Sequence, residues 1–421
     1  MTEQQPALEL ARYRNWPDPW LSVGEAVDRR LHVSELMLPT LALVRSALHH
    51  NARTMADWVS RQDAVLAPHG KTTMSPELIR LQLDHGAWAI TAATVSQARL
   101  FASWGVPRVL LANEVTDPAG LHWLASTLDG NGPEVIVLVD SVAGVEMLSA
   151  AMAPTSSASG RDLGVLLEVG IDGGRAGVRD HPSGLAVARQ VAALPGLTLR
   201  GVEAFEGGAG HDRSDADLNA VRALLDRVME LAGELSADRL VGTDEVIVTA
   251  GGSAYPDVVA ESLSAWSGDL PIRRVIRSGG YLTHDHGMLA AISPMRGPDG
   301  PYTLRPALRL YAVVLSCPEP GQAIVGFGKR DAPYDAGLPT ALTRHARMGD
   351  RFAPPVPATG IGVEKLNDQH AFCRVEAGVE TAVGDLLEFG ISHPCTAFDR
   401  WPLVPVLDDD DRLTGVVTTA F

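Results

Sequence analysis

The chain has 421 residues, 46 % of them hydrophobic, which is enough for two globular domains. Its formal net charge of −16 argues against nucleic acid or an anionic membrane as the main partner, and no apolar run is long enough to span a bilayer. The N-terminal stretch MTEQQPALELARYRNW lacks the basic region and apolar core of a secretory signal, and the few, widely spaced cysteines argue against a disulfide framework, so we expect a protein of the reducing cytoplasm.

Short apolar runs alternate with helical patterns through most of the chain. The runs are AVLAP (64–68), WAITAA (88–93), RVLLAN (108–113), EVIVLVD (134–140), LGVLLEVG (163–170), LRGVEAFEG (199–207), EVIVTAGG (245–252) and RVIRSGG (274–280). The helical patterns include SQARLFASWG (96–105), AGVEMLSAAM (143–152) and DLNAVRALLDRVMELAGEL (217–235). Near-continuous aliphatic runs are typical of parallel strands buried on both faces. Eight of them with alternating helices predict a TIM-type (β/α)8 barrel over residues 45–290, with a surface loop at PTSSASGRD (154–162).

The pattern changes after residue 290, where alternating segments are split by proline and glycine turns. These segments are RPALRLYAVVLSCPEPGQAIVGFG, EKLNDQHAFCRVEA and VGDLLEFGIS. Alternation of this kind predicts antiparallel strands of a C-terminal β domain. The early run LMLPTLALV (36–44) precedes the barrel and fits the same domain. We therefore assign residues 1–44 and 291–421 to the β domain.

The stretch LAPHGKTTMSP (66–76) contains Gly-Lys-Thr-Thr, which is similar to the end of a nucleotide-binding P-loop. That loop would need a glycine at position 65, which is Val65, and Pro68 has no N–H group to offer a phosphate. The chain has 35 lysines and arginines, among which the lysines are Lys71, Lys329 and Lys365. A lysine, unlike an arginine, can lose its proton and attack a carbonyl. The scarcity of lysine relative to arginine therefore favours a chemical role for Lys71 over the alternative of a solvated surface lysine.

Two glycine-rich turns, TAGGSAYP (249–256) and RSGGYLTHDHG (277–287), follow the seventh and eighth predicted strands. In a barrel of this type the site lies at the carboxyl ends of the strands, often with a phosphate after strands seven and eight. The turns offer N–H groups, and Ser253 and Ser278 offer hydroxyls. The glycines predicted to bind a cofactor are Gly251, Gly252, Gly279 and Gly280. Because Lys71 falls on the same rim, the arrangement suits pyridoxal phosphate (PLP).

Six motifs give the sequence a family resemblance. They are PHGKTT (68–73), EVGIDGGRAGV (168–178), VEAFEGG (202–208), TAGGS (249–253), RSGGY (277–281) and ISHPCT (391–396). Over roughly residues 36–405, the chain resembles the fold-III, alanine-racemase-like PLP enzymes, and more closely their D-serine dehydratase and D-threonine aldolase branch. The resemblance implies that Lys71 carries the cofactor, that Arg175 lies against its ring and that Tyr281 lies by its phosphate. It also implies a homodimer.

The chain departs from the family pattern at two places. The family motif often continues Lys-Thr-His-Lys, whereas here it is Lys71-Thr72-Thr73-Met74. The tyrosine often found before the Glu-Gly pair is Phe205. The second base and the phenol that family members often have at these two places are therefore missing from this chain.

His393 and Cys395 stand two positions apart, and on an extended segment such side chains point to the same side. Both suit Zn²⁺, and two protein ligands leave room for water or substrate. Alone, His-X-Cys is more often an incidental turn. In the resembled family, a metal beside the cofactor is bound by His-X-Cys in dehydratase-like members and by His-X-Asp in aldolase-like ones. The resemblance therefore favours dehydration.

The resemblance thus implies a PLP- and zinc-dependent lyase that removes water from a small D-3-hydroxy amino acid such as D-serine, giving a 2-keto acid and ammonia. Three alternatives stay open. They are retro-aldol cleavage of a D-threonine-type substrate, racemisation of an amino acid, and a non-catalytic cofactor carrier.

The remaining histidines and cysteines are weaker candidates. We expect His69 to orient the loop of Lys71, and His211 is a candidate for the rim of the site. The His-Asp-His run at 284–286 is more typical of a hydrogen-bonded turn than of a metal pair, and the run NDQH (367–370) falls at a predicted turn. The cysteines expected to be small buried residues are Cys317 and Cys373.

Overall fold

The computed structural model describes residues 13–130, 132–297 and 300–421, so residues 1–12 of the segment assigned to the β domain lie outside the described residues. The α-helices described are α1 (Val23–Asp28), α2 (Arg45–Arg61), α3 (Pro76–Asp84), α4 (Val95–Ser103), α5 (Pro118–Thr127), α6 (Val142–Ser159), α7 (His181–Ala193), α8 (Asp215–Ala237), α9 (Pro256–Ser264) and α10 (Met288–Ile292). The β-strands are β1 (Thr40–Val44), β2 (Val65–Leu66), β3 (Ile90–Ala92), β4 (Arg108–Leu111), β5 (Glu134–Val139), β6 (Leu163–Val169), β7 (Leu197–Ala204), β8 (Val246–Gly251), β9 (Ile272–Arg277), β10 (Leu308–Ser316), β11 (Gln322–Val325), β12 (Thr340–His345), β13 (Arg347–Met348), β14 (Arg351–Phe352), β15 (Val356–Pro357), β16 (Ile361–Leu366), β17 (Ala371–Val375), β18 (Leu386–Gly390), β19 (Leu403–Leu407) and β20 (Leu413–Thr418). Short 3₁₀ turns occupy Val33–Glu35, Gly70–Thr72, Glu206–Gly208, Pro394–Thr396 and Phe398–Arg400.

Strands β2 to β9 form one curled parallel sheet in the order β2-β9-β8-β7-β6-β5-β4-β3. Its two ends meet through backbone hydrogen bonds, from the Trp88 N–H to the Leu66 carbonyl and from the Thr91 N–H to the Pro68 carbonyl, each at 2.8 Å. Every run predicted as a barrel strand contains or overlaps one of these strands, and helices α3 to α9 connect them. The predicted TIM-type barrel is confirmed.

Alternate residues of the barrel strands pack into two separate layers. In β4, Val109 and Leu111 belong to the large cluster between the sheet and its helices, whereas Leu110 joins a small cluster inside the barrel. All three side chains are fully buried. Because both faces of a parallel sheet are covered, its strands are apolar at most positions rather than at alternate ones, which is the pattern that the sequence shows.

Helix α8 illustrates how the outer helices form. Its N-cap Ser214 accepts a hydrogen bond from the Asp217 N–H, and its buried positions recur at helical spacing along the side that faces the sheet. Among the described residues, none of the helices combines the length and the apolarity that crossing a membrane requires.

The surface loop predicted at residues 154–162 is wrong in its first part, since α6 continues to Ser159. Met152 and Ser156 are buried one turn apart on the same side of the helix. Packing of that side outweighs the cost of Pro154 inside the helix. Gly160, in the left-handed region at φ +70°, then ends the helix.

The second sheet follows the order β15-β12-β18-β10-β1-β19-β20, and β11 pairs with β10 and with β17, which in turn pairs with β16. Pairing is antiparallel as predicted, except that β1 runs parallel to β19. Strand β1, the early apolar run of the sequence, lies between β10 and β19 and leads directly into α2. The C-terminal antiparallel β domain is therefore confirmed as part of the fold.

Two backbone hydrogen bonds join the turn after β9 to the segment after β18. The His286 N–H donates to the Ile391 carbonyl at 2.8 Å, and the Met288 N–H donates to the Ser392 carbonyl at 3.1 Å. Gly287 lies so close to this segment that an added Cβ would be 2.7 Å from the Ser392 Cα. The residues that follow Ser392 are thereby held beside the carboxyl end of the barrel.

Gly201 allows β7 to lie against β8. Its φ is +149°, and an added Cβ would collide with the Ile247 carbonyl oxygen of β8. The pairing of β6 with β7 shifts register at the same point, between Val165 and Leu166. Only glycine fits there, because it has no Cβ and tolerates this backbone conformation.

Gly201→Ala is expected to lower the free energy of unfolding by about 3 kcal/mol, because the new Cβ meets the backbone of β8 at a strained φ. Denaturant unfolding of the purified protein measures this change. Gly415→Ala is the matched control, since nothing lies within 4 Å of a Cβ at that position of β20. Equal unfolding free energies for the two variants would contradict the steric argument.

Candidate active site

A cavity of about 480 Å³ opens at the carboxyl ends of the barrel strands. Its lining combines residues of the predicted site from distant parts of the sequence, from Lys71 after β2 to Cys395 of the β domain. Sites of TIM-type barrels form at this end, because the loops after all the strands converge there.

Lys71 lies in the 3₁₀ turn Gly70–Thr72 and lines the cavity. Gly70 has no room for a side chain, since a Cβ there would be 2.6 Å from the Phe101 ring. The Thr72 hydroxyl lies 3.6 Å from the Cys395 thiol. The turn therefore fixes the position of the Lys71 backbone and ties it to the β domain.

His69 precedes this turn and also lines the cavity. Burial lowers its pKa well below the ordinary value, and the charges of Arg277, Lys71 and Arg175 lower it further. The imidazole is consequently neutral at physiological pH and adds no positive charge beside the Lys71 amine.

The two glycine turns meet at the cavity. Ser253 of the first turn contacts the second, since its hydroxyl accepts hydrogen bonds from the Gly280 N–H at 3.1 Å and from the Ser278 hydroxyl at 3.2 Å. Gly252, Ser253, Gly279 and Gly280 all line the cavity. A Cβ on Gly279 would be 2.7 Å from the Thr72 hydroxyl oxygen, so glycine keeps this turn close to the turn of Lys71.

Two predicted cofactor residues do not line the cavity in the described part of the chain. A Cβ on Gly251 would be 2.6 Å from Nε of Arg277, so this glycine makes room for that side chain. Tyr281 is buried, and its hydroxyl accepts a hydrogen bond from the Gln82 amide at 3.3 Å. Burial raises the pKa of Tyr281. A contact of Tyr281 with the phosphate stays a prediction.

Arg175 lines the cavity together with Phe205. The guanidinium carbon lies 4.3 Å from the centroid of the Phe205 ring, a cation–π contact. The phenyl ring that replaces the tyrosine often found in the family thus supports the predicted cofactor residue.

The buried ion pair of Arg277 with Glu203 was missed by sequence reasoning. Both side chains line the cavity and are almost fully buried, and Arg277 also donates to the Ala204 carbonyl at 2.8 Å. The sequence feature that could have identified this pair is Arg277 itself, an arginine at the end of an apolar strand and next to the glycines of the second turn. A buried charge is costly unless paired, so its presence at this end of a barrel points to a role in the site.

Two further buried carboxyls are Glu168, which lines the cavity, and Glu206, which lies against the cavity-lining Gly252. Burial, with repulsion from Glu203 and Glu114, raises the pKa of Glu168 to about 9. Burial raises the pKa of Glu206 to about 7, and neither of its carboxyl oxygens has a hydrogen-bond partner among the described residues. Glu168 is therefore protonated at neutral pH, whereas Glu206 titrates there.

Three buried polar atoms of cavity-lining residues lack hydrogen-bond partners in the described structure. They are Nδ1 of His69, Oε2 of Glu203 and Nε of Arg277. Buried groups of this kind are normally paired. A polar cofactor would supply partners, the glycine turns suit its phosphate, and the Lys71 amine suits its aldehyde. The residues present therefore fit PLP.

His393 and Cys395 lie side by side at the 3₁₀ turn after β18, and Cys395 lines the cavity. The hydrogen bond with Cys395, followed by the charges of Cys395 and Asp335, raises the pKa of His393 to about 9. Asp335, which sequence reasoning missed, lies 2.6 Å from Nδ1 of His393 and accepts from the Thr396 hydroxyl at 2.9 Å. No motif in the sequence linked Asp335 to this pair.

These donors fit Zn²⁺ with two protein ligands. A carboxylate on one nitrogen of a ligating histidine is a common arrangement, and here Asp335 engages Nδ1, so Nε2 of His393 would be the nitrogen that binds the metal. Across the described residues, no group of three or more His, Cys, Asp or Glu side chains is placed to hold a metal. A metal on His393 and Cys395 would thus take its other ligands from water or substrate.

The remaining histidines and cysteines, which were weaker candidates, lie in different surroundings in the structure. His211 lines the cavity, whereas His284 is buried with Nδ1 2.9 Å from the Asp285 carbonyl, and burial lowers the pKa of His286 to about 3. His370 is exposed and does not line the cavity, given the residues described. Of the cysteines expected to be buried, Cys373 is buried but Cys317 is exposed, so that expectation is wrong for Cys317 because it lies just after β10 ends.

Comparison with protein families gives two matches. Residues 44–254 match the alanine racemase N-terminal domain, and residues 307–407 match the family described as "Putative serine dehydratase domain". Among individual proteins, D-threonine aldolase of Arthrobacter sp is 28 % identical over 364 residues, 86 % of this chain and 86 % of that protein. The 3-hydroxy-D-aspartate aldolase of Paracoccus denitrificans is 31 % identical over 344 residues, 80 % of this chain and 84 % of that protein.

Solved structures share the fold. D-threonine aldolase from Filomicrobium marinum has a TM-score of 0.74 and 22 % identity, covering 92 % of this chain and 96 % of that chain. D-threo-3-hydroxyaspartate dehydratase from Delftia sp. HT23 has a TM-score of 0.69 and 22 % identity, covering 92 % of this chain and 99 % of that chain. With half of the sequence matched by one family and 31 % identity across most of a relative, the chain belongs to the fold-III, alanine-racemase-like PLP enzymes, and it is similar to D-threonine aldolase and 3-hydroxy-D-aspartate aldolase.

Proposed function

We propose that the protein is a PLP- and zinc-dependent dehydratase of a small D-3-hydroxy amino acid, such as D-serine, and that it releases a 2-keto acid and ammonia. One observation carries the proposal. The Lys71 amine and the Cys395 thiol line the same cavity, and the Thr72 hydroxyl lies 3.6 Å from that thiol. One bound substrate could thus present its α-carbon to the Lys71 amine and its β-hydroxyl to a metal held in part by Cys395.

Lys71 has two tasks in this proposal. Its amine would hold PLP while the turns of Gly252, Ser253 and Gly280 hold the phosphate. The same amine, when not bonded to the cofactor, would be the base that takes the proton from the α-carbon of the substrate. PLP, when bound, supplies the electron sink that makes this proton acidic.

Arg277 and Glu203 support the same end of the cavity. Their buried ion pair keeps a guanidinium at the base of the barrel mouth without an uncompensated charge. Arg175, held over the Phe205 ring, supplies a second guanidinium at the cavity wall. The guanidinium groups of both arginines favour anionic groups of the cofactor or substrate.

His393 and Cys395 would hold the metal, and Asp335 would orient the imidazole. Zn²⁺, when bound, supplies a Lewis acid for the β-hydroxyl, which makes hydroxide a tolerable leaving group. The enamine that results from loss of water hydrolyses to the keto acid and ammonia after it leaves the protein.

Retro-aldol cleavage is the second candidate, because both individual relatives are named as aldolases. It would use the same amine and metal but break the bond between the α- and β-carbons. The cysteine in the His-X-Cys pattern is the reason for preferring dehydration. The domain limits, with the barrel at residues 45–290 and the β domain at residues 1–44 and 291–421, stay predictions, as do the homodimer and the cytoplasmic location.

Product analysis separates the candidate reactions. With PLP and Zn²⁺ bound, the protein is expected to form pyruvate and ammonia from D-serine, because water leaves from the β-carbon. If the protein instead forms glycine and acetaldehyde from D-threonine and no pyruvate from D-serine, it is an aldolase and not a dehydratase. L-serine as the product would indicate a racemase, and no product from any D-amino acid would indicate a carrier.

Lys71→Ala is expected to lower the rate of product formation by about 10³-fold or more, because it removes both the cofactor attachment and the base. The visible absorbance of the bound cofactor and its trapping by borohydride should disappear as well. Lys329→Ala is the matched control, since Lys329 does not line the cavity within the described chain. If borohydride still links the cofactor covalently to the Lys71→Ala protein, the assignment of Lys71 as the attachment residue is wrong.

His393→Ala and Cys395→Ala are expected to lose zinc, as measured by elemental analysis of the purified variants. Asp335→Asn should weaken zinc affinity by about 10- to 100-fold, because the imidazole loses its orienting carboxylate. Cys373→Ala serves as a control with the same change at a cysteine that is buried in β17 and does not line the cavity among the described residues. Full zinc occupancy in both ligand variants would refute the metal site.

A further inference from the structure

Arg175 lies on a segment that contains no helix or strand of its own. This segment, which we call the Arg175 loop, consists of residues 170–179 between the end of β6 and the start of α7, and four of its ten residues are glycines. Glycine loses more conformational freedom on folding than any other residue, so a segment of this composition is costly to hold in one conformation. Arg175 itself is exposed, so its position also depends on what holds the rest of the loop.

The guanidinium group of Arg179 folds back onto this loop. It donates hydrogen bonds of 2.5 to 3.3 Å to four consecutive backbone carbonyls, which are those of Gly174, Arg175, Ala176 and Gly177. A Cβ on Gly170 would collide with the same guanidinium group, so the group also packs against the first residue of the loop. Because the guanidinium is planar and its donors form a rigid fork, these bonds fix the direction of the carbonyls on both sides of Arg175.

Other contacts hold the ends of the Arg175 loop to the barrel. Arg227 of α8 donates to the Gly170 carbonyl at 3.0 Å and to the Arg179 carbonyl at 3.1 Å. Asp140, which follows β5, accepts a hydrogen bond from the Gly177 N–H at 3.0 Å. These bonds determine where the loop begins and ends, whereas the carbonyls around Arg175 are bound by Arg179.

The side chain that this loop carries is a cation without a carboxylate partner. In the described part of the chain, Arg277 is paired with Glu203, whereas Arg175 forms no ion pair and lies 4.3 Å from the centroid of the Phe205 ring. A guanidinium group of this kind can bind an anionic group of a ligand that enters the cavity. How well it does so depends on how firmly the loop holds it in place.

We propose, resting on the proposed function, that Arg179 is a positioning residue that holds the Arg175 guanidinium ready for the cofactor. Arg179 does not line the cavity among the described residues, so it would act through the backbone of the loop. Without its hydrogen bonds the glycine-rich loop would take several conformations. Cofactor binding would then include the entropy cost of ordering the loop and would be weaker.

Arg179→Ala is expected to weaken the binding of PLP by about tenfold or more, because the loop is no longer ordered before the cofactor binds. Titration of the PLP-free protein with PLP, followed by the absorbance of the bound cofactor, measures this affinity. Arg189→Ala is the matched control, since Arg189 is 61 % exposed on α7 and does not line the cavity within the described chain. Unchanged PLP affinity in a folded Arg179→Ala protein would overturn the proposal.

A double-mutant cycle with Arg175→Ala separates positioning from a general structural role. If Arg179 acts through Arg175, then Arg179→Ala adds no further loss of PLP affinity in the Arg175→Ala protein. A side chain that only stabilised the fold would weaken PLP binding by the same factor in both backgrounds. Additive losses of affinity would therefore contradict the proposal.

Arg179→Lys separates the shape of the side chain from its charge, and it serves as the test if Arg179→Ala does not fold. An ammonium group keeps the positive charge but cannot reproduce the planar fork of donors. The lysine variant is therefore expected to lose PLP affinity nearly as Arg179→Ala does. Wild-type affinity in Arg179→Lys would overturn the proposal, since the charge alone would then be sufficient.

The two proposals fail in different ways. If the unaltered protein forms a keto acid from a D-3-hydroxy amino acid but Arg179→Ala binds PLP with unchanged affinity, the reaction stands and the positioning role fails. If PLP affinity falls in Arg179→Ala but no D-3-hydroxy amino acid yields a keto acid, the proposed reaction fails and the positioning role stands. If the unaltered protein binds no PLP, both fail.

Discussion

The backbone hydrogen bonds between the turn after β9 and the segment after β18 hold the candidate site together. The donors are the His286 and Met288 N–H groups, and the acceptors are the Ile391 and Ser392 carbonyls. These hydrogen bonds hold the segment that leads to Cys395 against the barrel, together with the hydrogen bond from the Ala420 N–H to the Met74 carbonyl. With them, the Cys395 thiol lies 3.6 Å from the Thr72 hydroxyl, although the two residues are 323 positions apart in the chain. Main-chain contacts of this kind do not depend on side-chain rotamers, so they can fix the distance between two domains.

The barrel mouth carries groups that a purely structural barrel would avoid. A buried ion pair such as Arg277 with Glu203 costs desolvation energy that apolar residues of the same size would not. Glu206 is fully buried without a hydrogen-bond partner for its carboxyl oxygens among the described residues. Such departures concentrate at functional sites, where a ligand supplies the missing partners. Here Arg277 and Glu203 line the cavity that also contains Lys71, and Glu206 lies against Gly252 of the same lining.

Sequence patterns predicted the parts of the site that depend on local geometry. Near-continuous apolar runs located all eight barrel strands, because both faces of a parallel strand are buried. The glycine turns at 251–253 and 279–280 were predicted to converge, because neighbouring parallel strands end at the same edge. The same local reasoning was wrong in the first part of the loop predicted at residues 154–162. There α6 continues past Pro154, because the side of the helix that includes Ser156 is buried. There a tertiary contact outweighed the turn-forming residues.

The sequence by itself determined the order of the elements, the chemical groups at the strand ends and the presence of an amine, an imidazole and a thiol. Only the tertiary structure decided which of these groups meet and in which protonation state. Asp335 reaches His393 across 58 positions, and Glu168 is held protonated by burial and by neighbouring carboxyls. The physical reason is that hydrogen bonds, desolvation and charge repulsion act through space over a few ångströms, whereas a sequence pattern records only neighbours along the chain.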